Sequence, residues 1–197
     1  MEDIKIIKDP AVAKLLADNT RRRILRILTM GEFSAYELAK MLDKNTAAVE
    51  YHLKLLERGG LVKATRTEVK GNLVKRYYTS TAKRFIVSYS LAEAQAPESE
   101  EVSKVFERLI EGALKGFEAF GITLRGERRE RLKGLIKDFL RIRQTTLEAV
   151  LSKKVSPLPQ ERGIILFLEF LVMTLAYRNP EFRRILEEGS KAVPLEV

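Results

Sequence analysis

One short segment of this chain, residues 61–80, contains five cationic side chains and a single acidic one. The cations are Lys63, Arg66, Lys70, Lys75 and Arg76, and the amide side chain of Asn72 lies among them. Ammonium and guanidinium groups bind phosphate oxygens, and several of them close together favour a polyanionic partner. For any single residue of the set, a solvated strand face is the alternative interpretation.

The preceding segment, residues 45–58, has the spacing of an amphipathic helix. Val49, Leu53 and Leu56 recur every three or four residues and are predicted to face a core. The opposite face then carries Thr46, Ala47, Glu50, Tyr51 and Lys54. Such groups can contact a base edge, a thymine methyl group or a phosphate. Glu50 can accept a hydrogen bond from cytosine N4. An equal alternative is that Glu50 is a solvated helix residue without a role in DNA binding.

Start and stop signals place this helix second in a pair. Ser34 and Glu37 have the S-x-x-E spacing of a capping box, which predicts the start of the first helix. After a short turn, Asn45 or Thr46 begins the second helix, and the Gly59-Gly60 pair ends it. The two helices and their turn therefore have the order of a helix-turn-helix.

A hairpin follows this pair at once. Residues 61–69 and 73–80 are predicted strands, and Lys70-Gly71-Asn72 is the predicted tight turn between them. Tyr77 and Tyr78 are expected on opposite faces, one of them in the core. Together, the elements predict a winged helix-turn-helix, which places a helix in the DNA major groove and a hairpin along the backbone.

The flanking segments are predicted to be helical. Residues 9–17 and 18–30 are two predicted helices, and residues 81–96 a third that leaves the hairpin. The run Arg21-Arg22-Arg23 opens the second of these, where cations oppose the helix dipole. A bound anion or local partners would each explain the run. His52 lies beside the buried stripe, which favours a structural role over a functional one.

Charge distribution and composition restrict the function. Residues 1–90 contain 18 Lys and Arg against 10 Asp and Glu, a surplus of +8, whereas residues 91–197 contain 18 against 17, a surplus of +1. The positive charge therefore accompanies the helix-turn-helix, as phosphate binding requires. With no cysteine and one histidine, thiolate and His-rich metal sites are excluded, so no metal or cofactor is predicted, and an enzyme is the least favoured class. The composition suggests a thermophile.

The second half is predicted to be all-helical. Apolar residues keep a three-to-four spacing through 102–117 and 132–151, prolines follow, and further helices are predicted over 160–178 and 180–189. The run Gly163–Tyr177 is shorter than the ~20 residues of a membrane helix, and Glu169 lies in its middle, so a buried core helix is predicted there. No signal peptide is recognised, and a cytoplasmic location is expected. A Pro- and acid-rich boundary at 96–101 divides the chain into domains 1–96 and 97–197.

The chain resembles a known family over roughly residues 10–85. The segments LADNTRRRILRIL, YHLKLLERGGLV and the hairpin end KRYY resemble ArsR-type winged helix-turn-helix regulators, in an archaeal branch with a C-terminal helical domain. The resemblance implies a dimeric, DNA-binding regulator. It assigns groove reading to Thr46, Ala47, Glu50 and Tyr51, and the wing to Lys70, Gly71 and Asn72. The cysteines or histidines of metal-sensing members have no counterpart here.

These observations predict a homodimeric, sequence-specific transcription regulator that binds double-stranded DNA. Two copies would read half-sites about one helical turn, ~34 Å, apart. The apolar stripes of residues 97–197 are a candidate dimerisation surface, with packing inside a monomer as the alternative. A small-molecule effector between those helices is a further alternative. A winged helix that contacts the transcription machinery, or one that binds RNA, is the rival function.

Overall fold

The computed structural model describes residues 1–70, 73–93, 99–159, 161 and 163–193. The protein is mostly helical with a small sheet, as predicted. Two compact units divide the described residues: the first comprises those of 1–87 and 95–102, and the second those of 88–94 and 103–197. The sequence-based division at residues 96 and 97 stays a prediction.

The first unit contains four helices that begin where the capping signals predicted. Asp9, Asp18, Ser34 and Asn45 each accept a hydrogen bond from a backbone N–H of the first turn. Asp43 adopts the left-handed conformation after the third helix, where Asn and Asp are tolerated. The helices are α1 (Pro10–Leu15), α2 (Asn19–Leu28), α3 (Ala35–Leu42) and α4 (Thr46–Arg58).

The predicted hairpin is present. Strands β3 (Val62–Lys70) and β4 (Leu73–Ser80) pair antiparallel, and the two-residue strand β2 (Phe33–Ser34) joins the other edge of β4. The register places Glu68 opposite Lys75, and a bulge interrupts it at residues 64–66. Residues 71 and 72, the predicted turn, lie outside the described part of the chain.

The predicted helix over residues 81–96 is wrong. Residues Ala82–Val87 form strand β5, which pairs parallel with β1 (Glu2–Ile7), and only Ser90–Glu93 (α5) is helical among the described residues. The pair Ile6 and Ile86 lies in register. Phe85-Ile86-Val87 is a bulky, β-branched run that suits a strand, and β1 supplies its backbone partners. This pairing spans about eighty residues, so no local pattern could reveal it.

The core of the first unit confirms the predicted inward face of α4, and α2 contributes Ile24 and Leu28 to the same core. Ile24, Leu28, Val49, Leu53 and Leu56 are fully buried. The prediction that only one tyrosine of β4 is buried is wrong, because Tyr77 and Tyr78 are 6% and 8% exposed. Successive side chains of a strand point to opposite faces of the sheet, and here cationic side chains cover the ring of Tyr77 on the face opposite Tyr78.

The second unit is helical and has two apolar clusters. One contains Ile110, Leu114 and Leu132, and the other contains Ile142, Ala176, Phe182 and Ile185. Phe139 stacks on Phe182, with 5.4 Å between the ring centres. Its longer helices are α6 (Ser99–Gly116), α7 (Gly126–Ser152), α8 (Ile164–Ala176) and α9 (Pro180–Ala192), with a 3-10 turn at Phe117–Phe120. Among the described residues, no helix has both the length and the apolar character of a membrane span.

Candidate nucleic-acid interface

The outer face of α4 carries the predicted groove-reading residues. Ala47, Glu50, Tyr51 and Lys54 are exposed, and Thr46 is half-buried, opposite the buried Val49, Leu53 and Leu56. The Asn45 side chain accepts a hydrogen bond from Ala47 N at 2.7 Å, which fixes the start of the helix. The arrangement therefore presents the five side chains together, and their roles stay predictions.

A groove of about 610 Å³ separates this face from the wing. The start of α3, the outer face of α4 and the middle of β4 form its walls. Side chains with hydrogen-bonding or charged groups along it are Tyr36, Thr46, Glu50, Lys54, Lys75 and Arg76. Residues from all three elements of the predicted motif thus converge on one concave surface.

Lys75, a predicted phosphate ligand, has a protein partner. Its Nζ lies 2.9 Å from Glu37 Oε1 and 4.8 Å from the centre of the Tyr77 ring. Contact with the Tyr77 phenol and with Glu37 raises the pKa of Lys75. The hydrogen bond from Ser34 N, at 2.9 Å, and the ion pair with Lys75 lower the pKa of Glu37 to about 2. The capping box of α3 therefore also anchors β4.

Arg66 is also paired within the protein. Its guanidinium group contacts Glu68 and lies 3.3 Å from Glu32, and it stacks 3.6 Å from the centre of the Tyr77 ring. The Tyr77 hydroxyl donates to Glu68 at 2.9 Å, and this bond and Arg66 lower the pKa of Glu68. Arg66 and Lys75 pack on the ring of Tyr77 and bury it on the open face of the hairpin.

The remaining predicted cations differ in their surroundings. Arg76 lies 3.5 Å from Glu57 and 5.6 Å from the centre of the Tyr78 ring. Lys54 and Lys63 are exposed and have no ion-pair partner among the residues that the structure describes. The side chain of Lys70, with all of Gly71 and Asn72, lies outside the described residues. Arg66, Lys75 and Arg76 thus have carboxylate partners within the chain, and their predicted contact with phosphate stays a prediction.

The arginine run at the start of α2 has local partners. Arg21 Nε donates to the Leu15 carbonyl at 2.5 Å, and Arg22 donates to the Leu16 and Ala17 carbonyls at 2.9 and 2.7 Å. These carbonyls end α1, where cations are favourable. No bound anion is needed to explain these two residues.

His52 lies at the back of α4, away from the groove lining. Its ring packs edge-on against Tyr51, with 5.6 Å between the ring centres, and its Nδ1 atom is buried. This atom has no hydrogen-bond partner among the described residues, and the predicted structural role of His52 stays a prediction. Among the described residues, no group of three or more His, Asp or Glu side chains could hold a metal ion.

Comparisons with known proteins locate the similarity in this unit. Residues 16–64 match the model of a helix-turn-helix domain. A possible transcriptional regulatory protein from Mycobacterium bovis, solved as fragment 1–100, is 33% identical over 36% of this chain and 70% of its own, with a TM-score of 0.31. A search of curated proteins gives no match.

Two further solved structures are similar at the same level. The solution structure of a homodimeric winged helix-turn-helix DNA-binding domain from Mycobacterium bovis, described as a possible ArsR-family regulator, is 33% identical over 36% of this chain and 60% of its own, with a TM-score of 0.31. Reduced HlyU from Vibrio cholerae is 25% identical over 50% of this chain and 84% of its own, with a TM-score of 0.32.

The assignment follows from the elements and from the matched segment, since TM-scores near 0.3 do not establish a shared overall fold. The match ends at residue 64 and thus contains α2, α3 and α4, and the paired strands β3 and β4 follow in the order of a wing. The first unit of this chain is therefore a winged helix-turn-helix domain of the kind found in DNA-binding transcription regulators.

Proposed function

We propose that this protein is a sequence-specific transcription regulator that binds double-stranded DNA as a homodimer. The observation that carries the proposal is the matched helix-turn-helix with the polar outer face of α4 beside the basic groove along β4. In this arrangement α4 enters the major groove and the wing follows the backbone. A two-fold pair of such units reads two half-sites about 34 Å apart.

The outer face of α4 supplies the base contacts. Thr46 and Ala47 lie in its first turn, where the helix dipole also favours a phosphate. Ala47 admits close approach and can touch a thymine methyl group, and Glu50 accepts from cytosine N4. Tyr51 and Lys54 contact sugar and phosphate. These roles place sequence reading on α4 and backbone contact on its rim.

The wing acts in two ways. Lys63 is exposed without an ion-pair partner among the described residues and can bind phosphate directly, and the predicted tip residues Lys70, Gly71 and Asn72 have the same proposed role. Lys75, by contrast, binds Glu37 and holds β4 against the start of α3. Arg66 and Arg76 already contact carboxylates, so each binds phosphate only if its guanidinium group contacts both anions. Their contribution to DNA affinity is therefore smaller than that of Lys63.

The test is in vitro selection from random duplex DNA with the purified protein at near-physiological salt. A two-fold symmetric motif is expected. A single asymmetric half-site would contradict the homodimer, and a preference for RNA would replace the proposed ligand. If no nucleic acid is retained, the unit is a protein-contact module instead. The matched variants Lys54→Ala and Arg108→Ala, an exposed cation of the second unit, test whether retention depends on α4.

A further inference from the structure

The helix α8 is apolar around most of its circumference, with Glu169 and Thr174 as its polar residues. Its buried side places Leu168, Val172 and Ala176 in the second unit. Its other side exposes Leu166, Phe167 and Phe170 at 75%, 52% and 69%, and Tyr177, just past the helix end, at 57%. A helix that is apolar all round is normally covered on all sides. We call the exposed residues, together with Gly163 and Thr174 on the same side, the α8 face.

The α8 face is a sizeable apolar surface. Three aromatic rings and a leucine at these exposures leave on the order of 400 Å² of apolar surface. A patch of this size matches the largest one on a typical monomer, and such patches are often functional. A standard interface takes about 800 Å² from each partner, so the α8 face is about half of one. Leu158 and Leu171, which line a groove with Phe167, border it.

The one acidic residue within α8 does not interrupt this surface. The carboxylate of Glu169 contacts the guanidinium group of Arg143 on α7. Because its charge has a partner within the same chain, covering the α8 face would not leave an unpaired carboxylate. The apolar stripe is therefore continuous from Gly163 to Tyr177.

The side-chain sizes along the stripe fit a second copy of the same helix. The exposed positions 163, 166, 170, 174 and 177 are symmetric in number about Phe170. In an antiparallel pair centred there, Gly163 lies opposite Tyr177 of the second copy and Leu166 lies opposite Thr174, so a large residue meets a small one at both pairs, while Phe170 meets Phe170 of the second copy on the axis. A cavity or an overlap would each be unfavourable, so this alternation favours close packing.

The parallel arrangement lacks this fit. It would place Tyr177 against Tyr177 and Gly163 against Gly163, and it would bring the C-terminal ends of both helices together. Arg183 packs on Tyr177 at that end, with its guanidinium carbon 5.8 Å from the ring centre, and donates to the Tyr177 and Arg178 carbonyls at 2.9 and 3.2 Å. Two such cationic ends repel one another.

We infer that two copies of this chain associate by packing α8 against α8, antiparallel, about a two-fold axis that passes near Phe170. The inference rests on the proposed homodimer and names its surface. In such an isologous contact each residue of the stripe meets its counterpart on the other side of the axis. The second unit thereby becomes the dimerisation unit.

The experiment measures assembly of the full chain by multi-angle light scattering without DNA. The wild type is expected at twice its 22.5 kDa mass at micromolar concentration. Phe170→Glu places two carboxylates on the axis and is expected to raise the dissociation constant at least roughly 100-fold. Leu109→Glu is the matched control, because Leu109 is 56% exposed on α6 of the same unit, and it should remain dimeric. Both variants replace exposed residues, and an unchanged circular dichroism spectrum verifies their folding.

Cross-linking supplies an independent measurement, because the chain has no cysteine. Phe170→Cys is expected to form a disulfide between two copies under mild oxidation, since residues on the axis of an antiparallel pair come within the short reach of a disulfide. Leu109→Cys should stay unlinked. Equal cross-linking at both positions, or a Phe170→Glu variant that stays dimeric, would overturn the inference.

Other occupants of the α8 face give different results. If the wild type is monomeric and binds phospholipid vesicles, or binds fatty acid in the adjoining grooves of about 310 Å³, the α8 face contacts lipid in place of a second copy. The outcome is separable from the proposed function. If Phe170→Glu dissociates the dimer but no DNA motif is selected, the α8 interface is supported and the proposed regulator is contradicted. If a two-fold DNA motif is selected but Phe170→Glu stays dimeric, the regulator is supported and the α8 interface is contradicted.

Discussion

Two helices of the same length, α4 and α8, differ sharply in what they expose. Both contain 13 residues and bury one apolar stripe. Outward, α4 exposes Glu50, Tyr51 and Lys54, whereas α8 exposes leucine and phenylalanine. A polar face tolerates water and can exchange it for a charged, hydrated ligand, whereas an apolar face is stabilised only when water is removed. The contrast supports the two proposals, in which α4 contacts DNA and α8 contacts a second copy of the chain.

The largest expected effect comes from truncating the buried sides of both helices. Leu53→Ala in α4 and Leu168→Ala in α8 each remove a buried side chain and should lower the free energy of unfolding by about 2–5 kcal/mol. Leu166→Ala, the same change on the exposed side of α8, should alter the stability of the isolated subunit by no more than about 0.5 kcal/mol. Urea titration at low protein concentration, followed by tyrosine fluorescence and circular dichroism, distinguishes the two classes. A large loss at Leu166 would mean that the α8 face is packed within the subunit.

Next in size is the effect on DNA affinity of removing a cation. Lys54→Ala should weaken binding to every duplex alike and lower the slope of log affinity against log salt by about one, because an unpaired cation releases one phosphate counterion. Lys75→Ala should lower the slope by less, since Glu37 already neutralises that cation. Fluorescence anisotropy across a salt series measures both slopes. Equal slopes for the two variants would show that DNA displaces Glu37 from Lys75.

Local signals predicted much of the DNA-binding unit. Each N-cap of α1 to α4 is a short-range contact between a side chain and the next turn, so Asp9, Asp18 and Ser34 could be read from sequence alone. The buried stripe of α4 followed from its spacing for the same reason. The exposed positions on α4 then followed by exclusion, which is why the candidate face was predicted correctly as a surface.

Features that depend on distant residues were missed. The pairing of β1 with β5 joins residues about eighty apart, and the ion pair between Glu37 and Lys75 joins residues 38 apart. Neither leaves a periodic signal. The sequence therefore showed a basic hairpin but not that its own carboxylates occupy Arg66 and Lys75. The apolar outward side of α8 was likewise hidden, since its sequence has the pattern of a fully buried helix.

A pH titration sharpens the role assigned to Glu37. The pKa of this carboxyl is lowered to about 2 in the folded protein, so the ionised form stabilises the fold above the unfolded pKa near 4.3. That contribution is lost as pH falls from about 4.5 toward 2. Glu37→Gln should thus be less stable than the wild type by about 1 kcal/mol at neutral pH, and the difference should shrink over that window. A difference that is constant with pH would assign the effect to packing alone.

The smallest expected effect concerns Glu50, the one acidic residue among the five predicted groove-reading residues of α4. Glu50 repels phosphate, so Glu50→Ala should raise affinity for random duplex DNA by roughly two- to fivefold, as expected for one charge a few ångströms away in water. It should also reduce the preference for the selected site over close variants, because the acceptor for cytosine N4 is gone.

Glu50→Gln is the matched control, since it removes the charge but keeps an acceptor. If Gln restores the preference while the affinity for random DNA stays raised, Glu50 reads a base through its hydrogen bond and limits unspecific binding through its charge. If neither variant changes the preference, the polar face of α4 reads sequence through Thr46, Ala47 and Tyr51 without it.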